Sequence, residues 1–72
     1  TSFNYIVYPN PTYSEVFVDS SFEGDYKLYN LSGGLIQEGI YNAQIILPEK
    51  GFYLLELYPN IGEKETHKLI CH

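Results

Sequence analysis

Seventy-two residues, 44% apolar and 17% aromatic, allow one small globular domain and exclude a disordered chain. A net charge of −5, with four lysines and no arginine, excludes the basic stripe that nucleic acid or an anionic membrane surface would need. Cys71 is the only cysteine, which excludes an internal disulfide, and no apolar run approaches the ~20 residues that span a bilayer.

The predicted elements, in chain order, repeat with a period of two. "NYIVY" reads as a first strand and stops at Tyr8-Pro9-Asn10-Pro11, because proline cannot donate to a ladder and asparagine tolerates turn conformations. "SEVFVDS" sets Val16 and Val18 against Glu15, Phe17 and Asp19. "DYKLYNL" sets Tyr26 and Leu28 against Lys27 and Tyr29, and "GLIQEGIY" and "AQIILP" follow as strands with Ile36, Ile40, Ile45 and Leu47. "GFYLLELY" is apolar on both faces, as a central strand is, and "ETHKLIC" closes the chain. Turns are expected at 9–12, 22–25, 32–34, 41–43, 48–51 and 59–62, where Gly, Pro, Asn and Asp gather. No stretch shows helical apolar spacing without a Gly or Pro inside it. Strands at roughly 8–12-residue spacing predict an all-β fold: a small seven-stranded antiparallel β-sandwich, Ig-like in architecture. The immunoglobulin Cys…Trp…Cys signature is absent.

Few residues offer chemistry. His67, Cys71 and His72 crowd the last strand, but on a strand 67 and 71 stand roughly 13 Å apart, too far to share a metal. Cys71 and His72, as neighbours, point to opposite faces and make no nucleophile–base pair. Asp19, Glu23 and Asp25 lack a calcium-loop spacing and read as a solvated loop. No catalytic, metal or cofactor-binding residue is therefore assigned. Tyr5, Tyr8, Tyr13, Tyr41 and Tyr58 would be the residues of a sugar-stacking platform, or simply cover a sheet too small to hide them. The edge strand "HKLI" is the better candidate for a contact, since an open edge can accept a partner's strand.

The order of features is more telling than any one of them. "VYPNPT" comes first, then "YKLYNLSGGLIQEG", then "IILPEKGFYLLEL", and last "HKLI". This series resembles the C-terminal sorting domain of the type IX secretion system of Bacteroidota, type A, over residues 6–70. The family's motifs fall on Tyr8, Pro9, Asn10 and Pro11; on Asn30, Leu31 and Gly33; on Ile36; on Leu47, Gly51 and Tyr53; and on Lys68, Leu69 and Ile70. The chain departs from the pattern in the spacing of "LPEKGFY" and in ending Cys71-His72 rather than in basic residues.

The resemblance implies a label rather than an enzyme. It implies an N-terminal cargo fused to a domain at 6–72, with residues 1–5 as the end of a linker. It implies transit through the periplasm, recognition by an outer-membrane translocon, removal by a sortase-like peptidase, and delivery of the cargo to the cell surface or the medium. "TSFNYIVY" has no basic start and no small-residue cleavage site, so any signal peptide is expected upstream in a longer precursor. The double proline would mark the join of linker and domain, each proline holding the residue before it extended. The partner-recognition candidates are Tyr8, Pro9, Asn10, Pro11, Gly33, Gly51, Tyr53, Lys68, Leu69 and Ile70. The competing reading is an Ig-like accessory module of a surface enzyme, acting as a spacer or weak carbohydrate binder.

Overall fold

The computed structural model describes residues 5–72. Its strands are β1 (Val7–Tyr8), β2 (Glu15–Val18), β3 (Gly24–Asn30), β4 (Leu35–Ile40), β5 (Ile45–Ile46), β6 (Gly51–Pro59) and β7 (Glu65–Cys71). Among the described residues there is no helix. The strands form two antiparallel sheets, β1-β2-β5 and β4-β3-β6-β7.

The alternation in the sequence decides which face each sheet buries. Val16 and Val18 of β2 and Ile45 of β5 are buried from one sheet; Leu28 of β3, Tyr53, Leu55 and Leu57 of β6, and Leu69 and Cys71 of β7 are buried from the other. Phe22 and Leu47, from connecting segments, complete this single cluster. Each buried leucine contributes about 1.5–3 kcal/mol by leaving water. The strand that is apolar on both faces, β6, lies between β3 and β7 as its composition requires. Its Tyr53, Leu55 and Leu57 face the core, and Leu54, Glu56 and Tyr58 lie half-buried on the outward face.

The two sheets are tied at both sides. On one, the Gln37 amide of β4 donates to the Ile46 carbonyl of β5. On the other, Thr12 makes a parallel bridge to Cys71 of β7. Tyr41 bonds across the core edge: its hydroxyl accepts from the Val18 amide at 2.9 Å and donates to the Ala43 carbonyl at 2.9 Å.

The strand expected over "NYIVY" is seen as Val7–Tyr8 paired with Val18 and Phe17. Its first residue, Asn4, and the linker expected over 1–5, except for Tyr5, lie outside the described residues.

Candidate functional site

The Tyr-Pro-Asn-Pro segment carries the chain from one sheet to the other. Tyr8 closes β1, with its ring 5.8 Å from that of Phe17. The Tyr8–Pro9 and Asn10–Pro11 bonds are cis. The chain then runs along the outer edge of β7. The Asn10 side chain spans two residues there: Nδ2 donates to the Lys68 carbonyl at 2.8 Å, and Oδ1 accepts from the Ile70 amide at 3.1 Å. Thr12 continues the contact with its backbone, donating to the Ile70 carbonyl at 2.8 Å and accepting from the His72 amide at 2.8 Å. Thr12 is buried, and its hydroxyl donates to the Glu15 carbonyl at 2.5 Å. A carboxamide carries one donor and one acceptor side by side, so Asn10 satisfies the alternating groups of a strand edge as a backbone unit would.

This arrangement corrects two expectations. The edge of β7 is not open over Lys68–His72: residues 10–12 of the same chain occupy it. An unpaired ladder edge is a hazard, which is the physical reason for the cover. The double proline also does not mark the start of the fold, because β1 precedes it. Even Tyr5 packs its ring against Phe22 at 5.1 Å and donates its amide to Glu65.

The middle motifs are turn locks. Asn30 ends β3 and closes the hairpin to β4. Its amide donates to the Gly34 carbonyl at 3.0 Å, and its Oδ1 accepts from the Gly34 amide and the Ser32 hydroxyl, each at 2.8 Å. Gly33, at φ 93°, turns the chain in a conformation that favours glycine. At the start of β6, Gly51 has φ 136°, also a glycine conformation. Tyr53 buries its ring and returns its hydroxyl to the preceding turn, donating to the Glu49 carbonyl at 2.6 Å and accepting from the Glu49 amide at 3.1 Å.

Strand register brings these locks together. Asn30 pairs with Tyr53, Tyr53 with Leu69, and Gly51 with Cys71. Lys68 and Ile70 pair with Leu54 and Phe52. The Asn30 hairpin, the Gly51–Tyr53 turn, the Lys68–Ile70 run and Asn10 thus meet at one end of the four-stranded sheet. Tyr8 lies apart, on the other sheet. Pro9 and Pro11 are exposed and flank Asn10. Leu69 is fully buried, so it serves the core.

The outward face at this end carries large apolar side chains beside the exposed Lys68. Leu35 pairs with Tyr29, Tyr29 with Leu54, and Phe52 with Ile70. Leu31, Leu35 and Phe52 are 58%, 48% and 52% exposed, which is high for side chains of this size. Sequence reasoning overlooked this patch, and it overlooked Thr12. The signal for the patch was present: Tyr29, Leu54 and Ile70 are the outward partners in strands whose inward residues are already apolar.

The opposite end of the face carries charged side chains beside Ile40, which is 77% exposed. An open groove of about 480 Å³ lies there, lined among others by Asp25, Lys27, Glu38, Ile40 and Tyr58. The Tyr58 hydroxyl donates to Glu56, which pushes the phenol up to about 12. That bond, and then Lys64 3.6 Å away, hold the Glu56 carboxyl below its usual range. Lys27 sits 5.4 Å from the centre of the Tyr58 ring. The other tyrosines are engaged separately: Tyr5 and Tyr41 flank Phe22, Tyr8 rests on Phe17, and Tyr13 rests beside His72. Cys71 is buried with Sγ on the Tyr13 carbonyl at 3.3 Å, and His67 Nε2 meets Glu65 at 3.0 Å. Among the described residues no three His, Cys, Asp or Glu side chains gather as a metal site.

A family described as the secretion system C-terminal sorting domain matches residues 6–72. The chain belongs to this family. As a type IX sorting domain it acts at the C-terminal side of a fused cargo and directs that cargo through the secretion machinery, toward the cell surface or the outside. Comparison with curated proteins and with solved structures returns no match. Asn10, the Asn30 hairpin, the Gly51–Tyr53 turn and the Lys68–Ile70 run, scattered over some sixty positions, gather at one end of the four-stranded sheet.

Proposed function

We propose that this sorting domain is a non-catalytic, Ig-like seven-stranded β-sandwich whose recognition surface is the motif-bearing end of the four-stranded sheet. The outer-membrane translocon contacts the apolar outward face there, around Phe52, Leu54 and Ile70. Asn10, Asn30, Gly33, Gly51, Tyr53 and Lys68 hold that face in shape. Leu69 anchors it from the core. Tyr8, Pro9 and Pro11 set the path that delivers Asn10 to β7. The observation that supports this reading is the convergence of four distant motifs beside a cluster of exposed large apolar side chains.

The domain spans residues 6–72, and residues 1–5 form the end of a linker whose last residue, Tyr5, touches down on Phe22. The cargo passes through the periplasm, and a sortase-like peptidase cuts the linker during release. The accessory-module reading draws no support, because the tyrosines that would form a sugar platform make separate contacts.

The test is a secretion assay. A fluorescent protein with a periplasmic signal peptide carries residues 1–72 at its C-terminus, in a Bacteroidota host with and without the type IX translocon. Translocon-dependent fluorescence at the surface or in the medium, on a product shortened by about the mass of this domain, is the expected result. Intact fusion held in the periplasm of the competent host would reject the proposal.

A further inference from the structure

We infer that the free edge of β4, over Glu38–Ile40, is a docking site for an extended peptide segment of a partner protein, one that carries an apolar residue and, two positions on, a lysine or arginine. The site lies at the opposite end of the sheet face from the turn locks and does not rest on the recognition proposed there.

The chain treats the two edges of its four-stranded sheet differently. Residues 10–12 cover β7, whereas β4 has a strand on one side only. The Gln37 side chain closes the near part of the β4 edge on Ile46, and beyond it the edge is bare. Tyr41 donates its amide to the Gly24 carbonyl of β3 at 3.0 Å. Residues of an antiparallel ladder alternate in facing their neighbour, so Gly39 and Gln37 also face β3, and Glu38 and Ile40 turn amide and carbonyl away from it. Among the described residues nothing bonds to those four groups. Such a row is a template for an added strand.

The side chains along the row select the occupant by charge. Glu38 and Asp25 are exposed, and neither carboxylate enters an ion pair among the described residues. Lys27 faces Glu38 across the ladder, yet its ammonium lies 5.4 Å from the centre of the Tyr58 ring. A basic side chain set opposite Glu38 meets one carboxylate directly and opens onto the groove of about 480 Å³ that Asp25 also lines. An apolar side chain opposite Ile40 covers a residue that is 77% exposed. Between them, Gly39 leaves open space where its Cβ would stand, which admits a large side chain at the middle position. A second copy of this chain fits poorly, because each copy carries a net charge of −5.

The test uses the peptide acetyl-Thr-Val-Tyr-Arg-Thr-amide, whose valine, tyrosine and arginine fall opposite Ile40, Gly39 and Glu38 in antiparallel register. It is titrated into the folded, nitrogen-15-labelled chain and followed by amide shifts. Saturable shifts centred on Glu38–Ile40, weakening with added salt, are expected. The same peptide with glutamate for arginine should bind roughly five- to tenfold more weakly. Glu38→Lys, an exposed change, should reverse that preference, and Ile40→Pro, which removes an amide of the bare row, should abolish binding. Absence of binding, shifts centred elsewhere, or equal affinity for the two peptides overturns the proposal. So does a folded Glu38→Lys chain that keeps the native preference. Edge shifts that follow chain concentration without peptide would also overturn it, since a second copy would then be the occupant. Should Ile40→Pro not fold, a peptide N-methylated at its arginine, which removes a backbone donor from the other side, takes its place, and undiminished binding of either overturns the proposal.

Discussion

At the residue scale, Asn10 and Tyr53 act through side-chain geometry that a conservative change should expose. Replacing Asn10 by Asp keeps the acceptor for the Ile70 amide but turns an oxygen toward the Lys68 carbonyl, where a donor stood. Loss of one exposed hydrogen bond costs about 1 kcal/mol, and two facing acceptors add to it. Equilibrium denaturation should therefore show Asn10→Asp as less stable than the parent chain, and hydrogen exchange should speed at Lys68–Ile70 before the rest of β7. Tyr53→Phe keeps the buried ring and removes both bonds to Glu49. It should lower stability by about 1–2 kcal/mol, or roughly 5–10 °C in melting temperature for a domain of this size. Tyr58 titrates on the surface. Its phenol is raised from 10 to about 12 by donating to Glu56, so the neutral form is favoured in the folded chain. That contribution is fully present below pH 10 and fades as pH rises through about 12. Ultraviolet titration should show one late phenolate that Glu56→Gln brings back toward the ordinary range. The carboxyl of Glu56 has the opposite sign: its contribution is present above its ordinary pKa and fades as pH falls through the lowered value.

At the element scale, much of the molecule was legible in its residues. The alternation of Val16 and Val18 against Glu15 and Phe17 named the buried face of β2, and two-sided apolarity placed β6 in the interior of its sheet. The hairpin at Asn30–Gly34 and the turn before Gly51 fell where Gly, Asn and Pro clustered. What stayed illegible is pairing at a distance. Asn10 and Ile70 meet across sixty positions of sequence separation, and nothing local in "YPNPT" says which edge its amide will meet. The motif therefore read as a strand stop, and β7 as an open edge. Single strand patterns carry the facing of side chains but not the order of strands in a sheet, and the covered edge depends on that order. Gly51 offers a test at this scale. Nothing crowds a Cβ there, but φ 136° suits glycine, so Gly51→Ala should cost roughly 1–3 kcal/mol through backbone strain alone. A thermal melt that leaves the midpoint unchanged would show that the turn relaxes into another shape.

At the scale of the whole molecule, the two ends of the outward sheet face differ in kind. One carries Leu35, Phe52 and Ile70 beside Lys68, bordered by the edge cover and the two turn locks; the other holds charged side chains around Tyr58 and Lys27, beside the exposed Ile40. A domain this small buries only about 60% of the surface its unfolded chain exposes, and large apolar side chains stay exposed at both ends, Leu31, Leu35 and Phe52 at one and Ile40 and Ile61 at the other. The edge cover and the turn locks, found at one end only, underlie the proposed direction of reading, in which secretion machinery engages that end. The most direct measurement compares secretion of one fluorescent cargo fused to two surface variants of the domain, Phe52→Glu at the end with the turn locks and Ile40→Glu at the opposite end. Both positions are exposed, so both chains should fold, which circular dichroism checks. Recognition at the end with the turn locks predicts that Phe52→Glu traps the cargo in the periplasm while Ile40→Glu secretes normally. Normal secretion of Phe52→Glu, or equal loss in both, would contradict it.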